Sequence, residues 1–100
     1  MFFIIHALDK PDHVQSRLDG YADHKAYLSS ASIKTLVSGP LLADDGETMI
    51  GSFFLVEADS KADVIKFNAN DPFAKIGLWQ NVSIHHFNKR VDNRDMGTPA

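Results

Sequence analysis

One hundred residues, 44% hydrophobic and 23% charged, suffice for one modest core and argue against a disordered chain. A formal net charge of −3, with a pI near 5.9, leaves no basic stripe to neutralise phosphates, so nucleic acid is not an expected partner. The absence of cysteine removes disulfides, thiolate nucleophiles and Cys-based metal sites together.

Met1 to Leu8 is apolar at nearly every position and reads as a strand covered on both faces. This start has no basic leader and meets Asp9 too soon for a signal peptide. No apolar run nears the roughly 20 residues that span a bilayer, so the expected location is the cytoplasm, with no membrane partner. Pro11 and Asp12 suit the first turn of a helix, predicted from there to about Ser30. Its expected buried stripe is Val14, Leu18, Tyr21, Lys25 and Leu28. A second strand covers Ile33 to Val37, interrupted by Ser38-Gly39-Pro40 before Leu41-Leu42. Asp45-Gly46 signals a hairpin into a third strand, Met49 to Glu57.

Ser60-Lys61-Ala62-Asp63 has capping-box spacing and opens a second helix to about Ala69, expected to bury Ala62, Ile65 and Phe67. Asp71-Pro72 is a second cap, opening a short turn that Gly77 closes. Trp79 to Phe87 alternates as a last strand, with Val82, Ile84 and His86 on one face. The order β-α-β-β-α-β predicts an α+β, ferredoxin-like domain over residues 1–90, followed by a polar tail over 91–100. Its strands carry more apolar surface than two helices can cover, which predicts a face-to-face homodimer.

Chemistry concentrates at three places. Arg17, Tyr21, His24 and Leu28 recur along one side of the first helix, joining a cation, a phenol and an imidazole. Imidazole is the natural proton carrier near neutral pH, and a guanidinium can clamp a carboxylate or enolate. The plainer alternative leaves Arg17 and His24 solvated, opposite the Leu18 stripe. Ser38-Gly39-Pro40 is either a simple strand kink or a bend where a ligand approaches. Asp71 has a sufficient job as an N-cap. Among the five histidines, His85 and His86 point to opposite faces of a strand, and no His-x-x-x-His spacing occurs. No metal site is expected.

These residues also follow, in order, the pattern of a known family. Arg17, His24 and Leu28, then Ser38-Gly39-Pro40-Leu41, Gly51-Ser52, Ala58-Asp59-Ser60, Asp71-Pro72-Phe73 and Gly77 resemble the YciI-like (YCII-related) family, from the first strand to about Phe87. The resemblance implies a dimeric α+β barrel of two ferredoxin-like subunits, and a His–Asp pair at His24 and Asp71. It also implies a cleft shaped by Arg17, Ser38, Gly39, Pro40, Ser52, Pro72 and Phe73. One branch of the family removes chloride from a chlorinated hydroxyhydroquinone without a cofactor. Before His24 the chain carries Tyr21-Ala22-Asp23, where many members have Arg or Pro.

The expectation is therefore a cofactor-independent enzyme, of dehydrochlorinase or isomerase type, that moves a proton on a small phenolic or carboxylated ring. His24 would be base or acid, Asp71 its orienter and Arg17 an anion clamp. A non-catalytic module holding a small molecule in the same cleft is the alternative. A haem- or metal-dependent relative is a third.

Overall fold

Alternation along the first strand sets the layers of the fold. The computed structural model describes residues 1–95, so part of the tail expected over 91–100 lies outside the described residues. Strand β1 (Phe2–Asp9) buries Phe3, Ile5 and Ala7 completely. Phe2, Ile4 and Leu8, which point the other way, are half-buried, and His6 is exposed. Within one chain, then, β1 is covered on one face only.

Helix α1 (Val14–Ser30), strands β2 (Lys34–Leu42) and β3 (Met49–Glu57), helices α2 (Lys61–Ala69) and α3 (Pro72–Lys75) and strand β4 (Trp79–Phe87) follow. The strands form one antiparallel sheet in the order β2-β3-β1-β4, the ferredoxin-like arrangement. Ile5 lies opposite Phe54 of β3 and Ile84 of β4, while Phe3 lies opposite Val56 and His86. Phe54 and Val56 join Val64 and Phe67 of α2, Phe73 of α3, Leu78 and Trp79 in the core between sheet and helices. No described helix is long and apolar enough to cross a membrane.

Four local expectations are corrected. Helix α1 starts at Val14 rather than near Pro11, because Asp12 takes a φ of 61° and turns the chain first. Of its expected apolar stripe only Leu28 packs against the core: Leu18 is 53% and Tyr21 54% exposed, whereas Arg17 and His24 are buried. The inner ridge is polar because its groups find partners inside. It is also slim, because Gly20 has no side chain. A Cβ there would stand 3.0 Å from Ile76 and 3.3 Å from Phe73.

Strand β2 is not broken at Gly39-Pro40. It is an edge strand, where a proline lacks nothing on its unpaired side, and its register shifts fall instead between Thr35 and Val37 and between Leu41 and Leu42. In α2 the cap forms as expected, the Asp63 N–H donating to Ser60 Oγ at 3.2 Å. The buried residues are Val64, Phe67 and Asn68, while Ala62 and Ile65 face out. The bulky Phe67 takes the core, with Val64 one turn before it on the same face.

Two stability predictions follow from these contacts. Gly51 on β3 approaches β1 so closely that a Cβ would lie 2.2 Å from the Ala7 carbonyl oxygen. Backbone cannot yield as a side-chain tip can, so Gly51→Ala should cost at least about 2 kcal/mol in urea unfolding. In the β2–β3 turn the Asp45 carboxylate accepts the Thr48 hydroxyl and the Thr48 and Glu47 N–H groups. These bonds, that from the Thr48 hydroxyl foremost, pull its pKa from 3.8 down to about 2. A lowered pKa means stability held above the ordinary value and lost as pH falls through the folded one. Thermal unfolding of Asp45→Asn should therefore show a shallower decline than wild type between pH 4 and 2.

Candidate functional site

The two buried polar residues of α1 each meet a carboxylate from another element. Arg17, 4% exposed, donates from Nε to Asp9 Oδ2 at 2.7 Å and from Nη2 to Asp9 Oδ1 at 2.8 Å. Asp9 ends β1, so the pair ties the helix to the sheet. Nη2 also donates to Ser52 Oγ on β3 at 2.8 Å, and the guanidinium stands 4.9 Å from the centre of the Phe73 ring. The bidentate edge of Arg17 is thus occupied by the protein itself. Its reach toward a ligand runs through Ser52, whose hydroxyl proton has no acceptor among the described residues.

Two turns further, His24 Nδ1 lies 2.8 Å from Asp71 Oδ1 and 2.9 Å from Oδ2. Asp71, 1% exposed, also receives the Phe73 N–H at 2.9 Å as N-cap of α3. A carboxylate only accepts, so Nδ1 carries the hydrogen and donates it. Nε2 is then the free lone pair, and no hydrogen bond uses it among the described residues. The Phe73 ring stacks on the imidazole at 4.1 Å and 14°, fixing its plane, and Phe54 meets its edge at 5.8 Å. Next along the ridge, Tyr27 donates to the Phe67 carbonyl at 2.7 Å. Burial, and secondarily the charge of Asp71, push that phenol above its ordinary value.

Arg17, His24, Ser52 and Phe73 floor a cleft of about 360 Å³ between α1 and β2. Cross-strand pairing sets Ser38 beside Phe54 and Pro40 beside Ser52, so the β2 segment forms the far wall. Arg17, His24, Ser38, Gly39, Pro40, Ser52 and Phe73 all line it, and Asp71 stands behind His24. The structure thus brings together the site residues named from the sequence, except Pro72, which opens α3 but does not line the cleft. Asp9 was missed, having been read only as the polar residue that ends the apolar start of the chain. The one available clue was a carboxylate ending a buried strand, which needs a countercharge. Leu18, Tyr21, Lys25, Leu28 and Met49 complete the lining. A wider hollow of about 800 Å³ lies near Met1, Tyr27, Asp63 and Lys66, and none of the site residues borders it. Among the described residues no cluster of three or more His, Asp or Glu could hold a metal ion.

Residues 1–88 match the YCII-related domain. Among solved structures, the chain is similar to 5-chloro-2-hydroxyhydroquinone dehydrochlorinase (TftG) from Burkholderia phenoliruptrix AC1100, in complex with 2,5-dihydroxybenzoquinone. Identity is 38%, coverage 88% of this chain and 94% of that one, and the TM-score 0.76. A weaker likeness, at 17% identity and a TM-score of 0.42, is to At3g17210 of Arabidopsis thaliana, over 91% of this chain and 97% of that one. No curated protein matches the chain.

Removing one partner of a buried ion pair strands the other charge. Arg17→Ala should therefore cost about 3–5 kcal/mol in chemical denaturation, whereas Arg17→Met combined with Asp9→Leu should recover most of that loss. Equal losses in both variants would show that the guanidinium acts by packing alone.

Proposed function

We propose that this chain, which belongs to the YCII-related domain family, is an enzyme that moves a proton on a small ring compound with an acidic hydroxyl, without a bound cofactor. The observation that carries the reading is the buried His24–Asp71 contact, which leaves Nε2 available at the floor of a ring-sized cleft. In this reading the hydroxyl proton of the ligand passes to Nε2. The imidazolium so formed keeps its Nδ1–H on Asp71, and the electron pair stays on the ring oxygen. The Ser52 hydroxyl donates to that oxygen, polarised by the Arg17 hydrogen bond it receives. Pushing the pair into the ring draws the Nε2 proton onto a ring carbon and gives the keto form; where that carbon bears chloride, loss of a second ring hydroxyl proton to the again neutral Nε2 expels the chloride and leaves a quinone. That second step matches the chemistry in the name of the dehydrochlorinase to which the chain is 38% identical.

The working unit in this reading is a homodimer. Phe2, Ile4, His6 and Leu8 of β1 share the helix-free face of the sheet with Phe87, Leu55 and Phe53, the cross-strand neighbours of Phe2, Ile4 and His6. Phe87 is 40% exposed. A second copy laid sheet against sheet would cover this face.

A thermal-shift screen of phenols, hydroquinones, lactones and hydroxy acids against wild type and His24→Ala tests the assignment, since a ligand bound only to the folded state raises its stability. Compounds that stabilise wild type are then assayed for turnover. Loss of the general base should lower kcat/KM by about 10²–10⁴-fold with the fold intact. Undiminished turnover in His24→Ala sinks the proton-transfer role. Binding that survives the substitution, with no product from any bound compound, identifies a binding module instead.

A further inference from the structure

The polar groups of the floor find their partners inside the protein. Arg17 is ion-paired with Asp9, and His24 is hydrogen-bonded through Nδ1 to Asp71. The mouth differs. Lys25 lies on the outer flank of α1 with Leu18 and Tyr21, and these three line the cleft together with the partly buried Leu28. The Lys25 backbone carbonyl accepts the Ser29 hydroxyl at 3.1 Å. Among the described residues its ammonium makes no hydrogen bond or ion pair. No Asp or Glu lines the cleft, and the facing wall of Ser38, Gly39, Pro40 and Met49 is uncharged. A cation on an otherwise uncharged rim gives the opening a positive field that nothing in its lining cancels.

Position along the helix adds a length. Arg17 and Lys25 are eight residues apart, about 12 Å along the axis. The lysine stem covers part of that distance and the guanidinium, acting through Ser52, covers another part. A flat ring with a hydroxyl at the floor and a second polar group at the mouth fits the interval.

We infer that Lys25 selects a carboxylated phenol, its ammonium holding the carboxylate while the ring hydroxyl meets His24 and Ser52. The inference rests on the reading of the floor as a phenol site. A carboxylate at the mouth would also orient the ring, so that one hydroxyl rather than another reaches Nε2. Tyr21, one turn before Lys25, offers its ring edge to the same ligand.

Calorimetric titration of two probes that differ only by the carboxylate, 2,5-dihydroxybenzoate and hydroquinone, tests this on wild type, Lys25→Gln, Lys25→Glu and His24→Ala. Wild type should bind the carboxylate about fivefold tighter, as suits an exposed ion pair. Lys25→Gln should bring the two affinities level, and Lys25→Glu should reverse their order. Raising the salt should shrink the wild-type preference, because the screening length falls from about 10 Å at 0.1 M to about 3 Å at 1 M. Equal affinities in wild type, or a preference unchanged in Lys25→Gln, would overturn the role of Lys25 and leave the floor assignment standing. Both probes binding His24→Ala as well as wild type would instead remove the floor assignment. Binding of neither probe to wild type overturns both.

Discussion

The structure turns on two charge contacts that let a polar ridge of α1 face the core. Burying a guanidinium or a carboxylate alone costs several kcal/mol, more than one side chain in a small domain can recover by packing. Asp9 and Asp71 remove that cost for Arg17 and His24, and each does so from a different element. Asp71 does so while capping α3 with the same Oδ1 that faces His24. The position of α3 and the orientation of the imidazole are therefore a single constraint. A change in either displaces the other.

Aromatic packing surrounds this ridge. Phe73 stacks on His24 and sits beneath the Arg17 guanidinium, while Trp79 meets both Phe73 and Phe54 edge-on. Rings on all sides lower the local dielectric, which strengthens the hydrogen bonds of the two pairs and raises the cost of losing one partner. Gly20 makes the approach possible, since a side chain at that point would push Phe73 and Ile76 away. The helix gives up some intrinsic stability there, about 1 kcal/mol relative to alanine, and gains the contact between α1 and α3.

Much of the fold was legible because its signals are local. Period-two alternation, the Asp45-Gly46 turn and the Ser60 and Asp71 caps act within a few residues, and the strand order follows from them. The rotation of α1 was not legible. Its sequence offers two ridges at helical spacing, one apolar through Leu18 and one polar through Arg17, and a hydrophobic count favours the wrong one. What decides between them is non-local. Asp9 lies eight residues before Arg17, and Asp71 forty-seven after His24. The edge position of β2, which excuses Pro40, is equally invisible before the sheet order is known. The grouping of His24 with Asp71, Ser38, Pro40, Ser52 and Phe73 came from family resemblance rather than from spacing. The structure supplies the distances, and adds Asp9.

The inverted helix also explains how one small element can serve two purposes. Residues facing inward are fixed, because each has a buried partner and a stability cost attached to its loss. Those on the outer flank have no such partner. Leu18 and Tyr21 are more than half exposed, and the Lys25 ammonium makes no hydrogen bond or ion pair among the described residues. Across from them β2 is an edge strand, its wall carried by Gly39 and Pro40 rather than by interlocking side chains. Substitution at the mouth can therefore change which ligand enters without disturbing the groups at the floor. On the function proposed here the proton-handling groups would belong to the inner ridge and substrate choice to the outer flank, and the 100° between successive residues of one helix would keep the two apart.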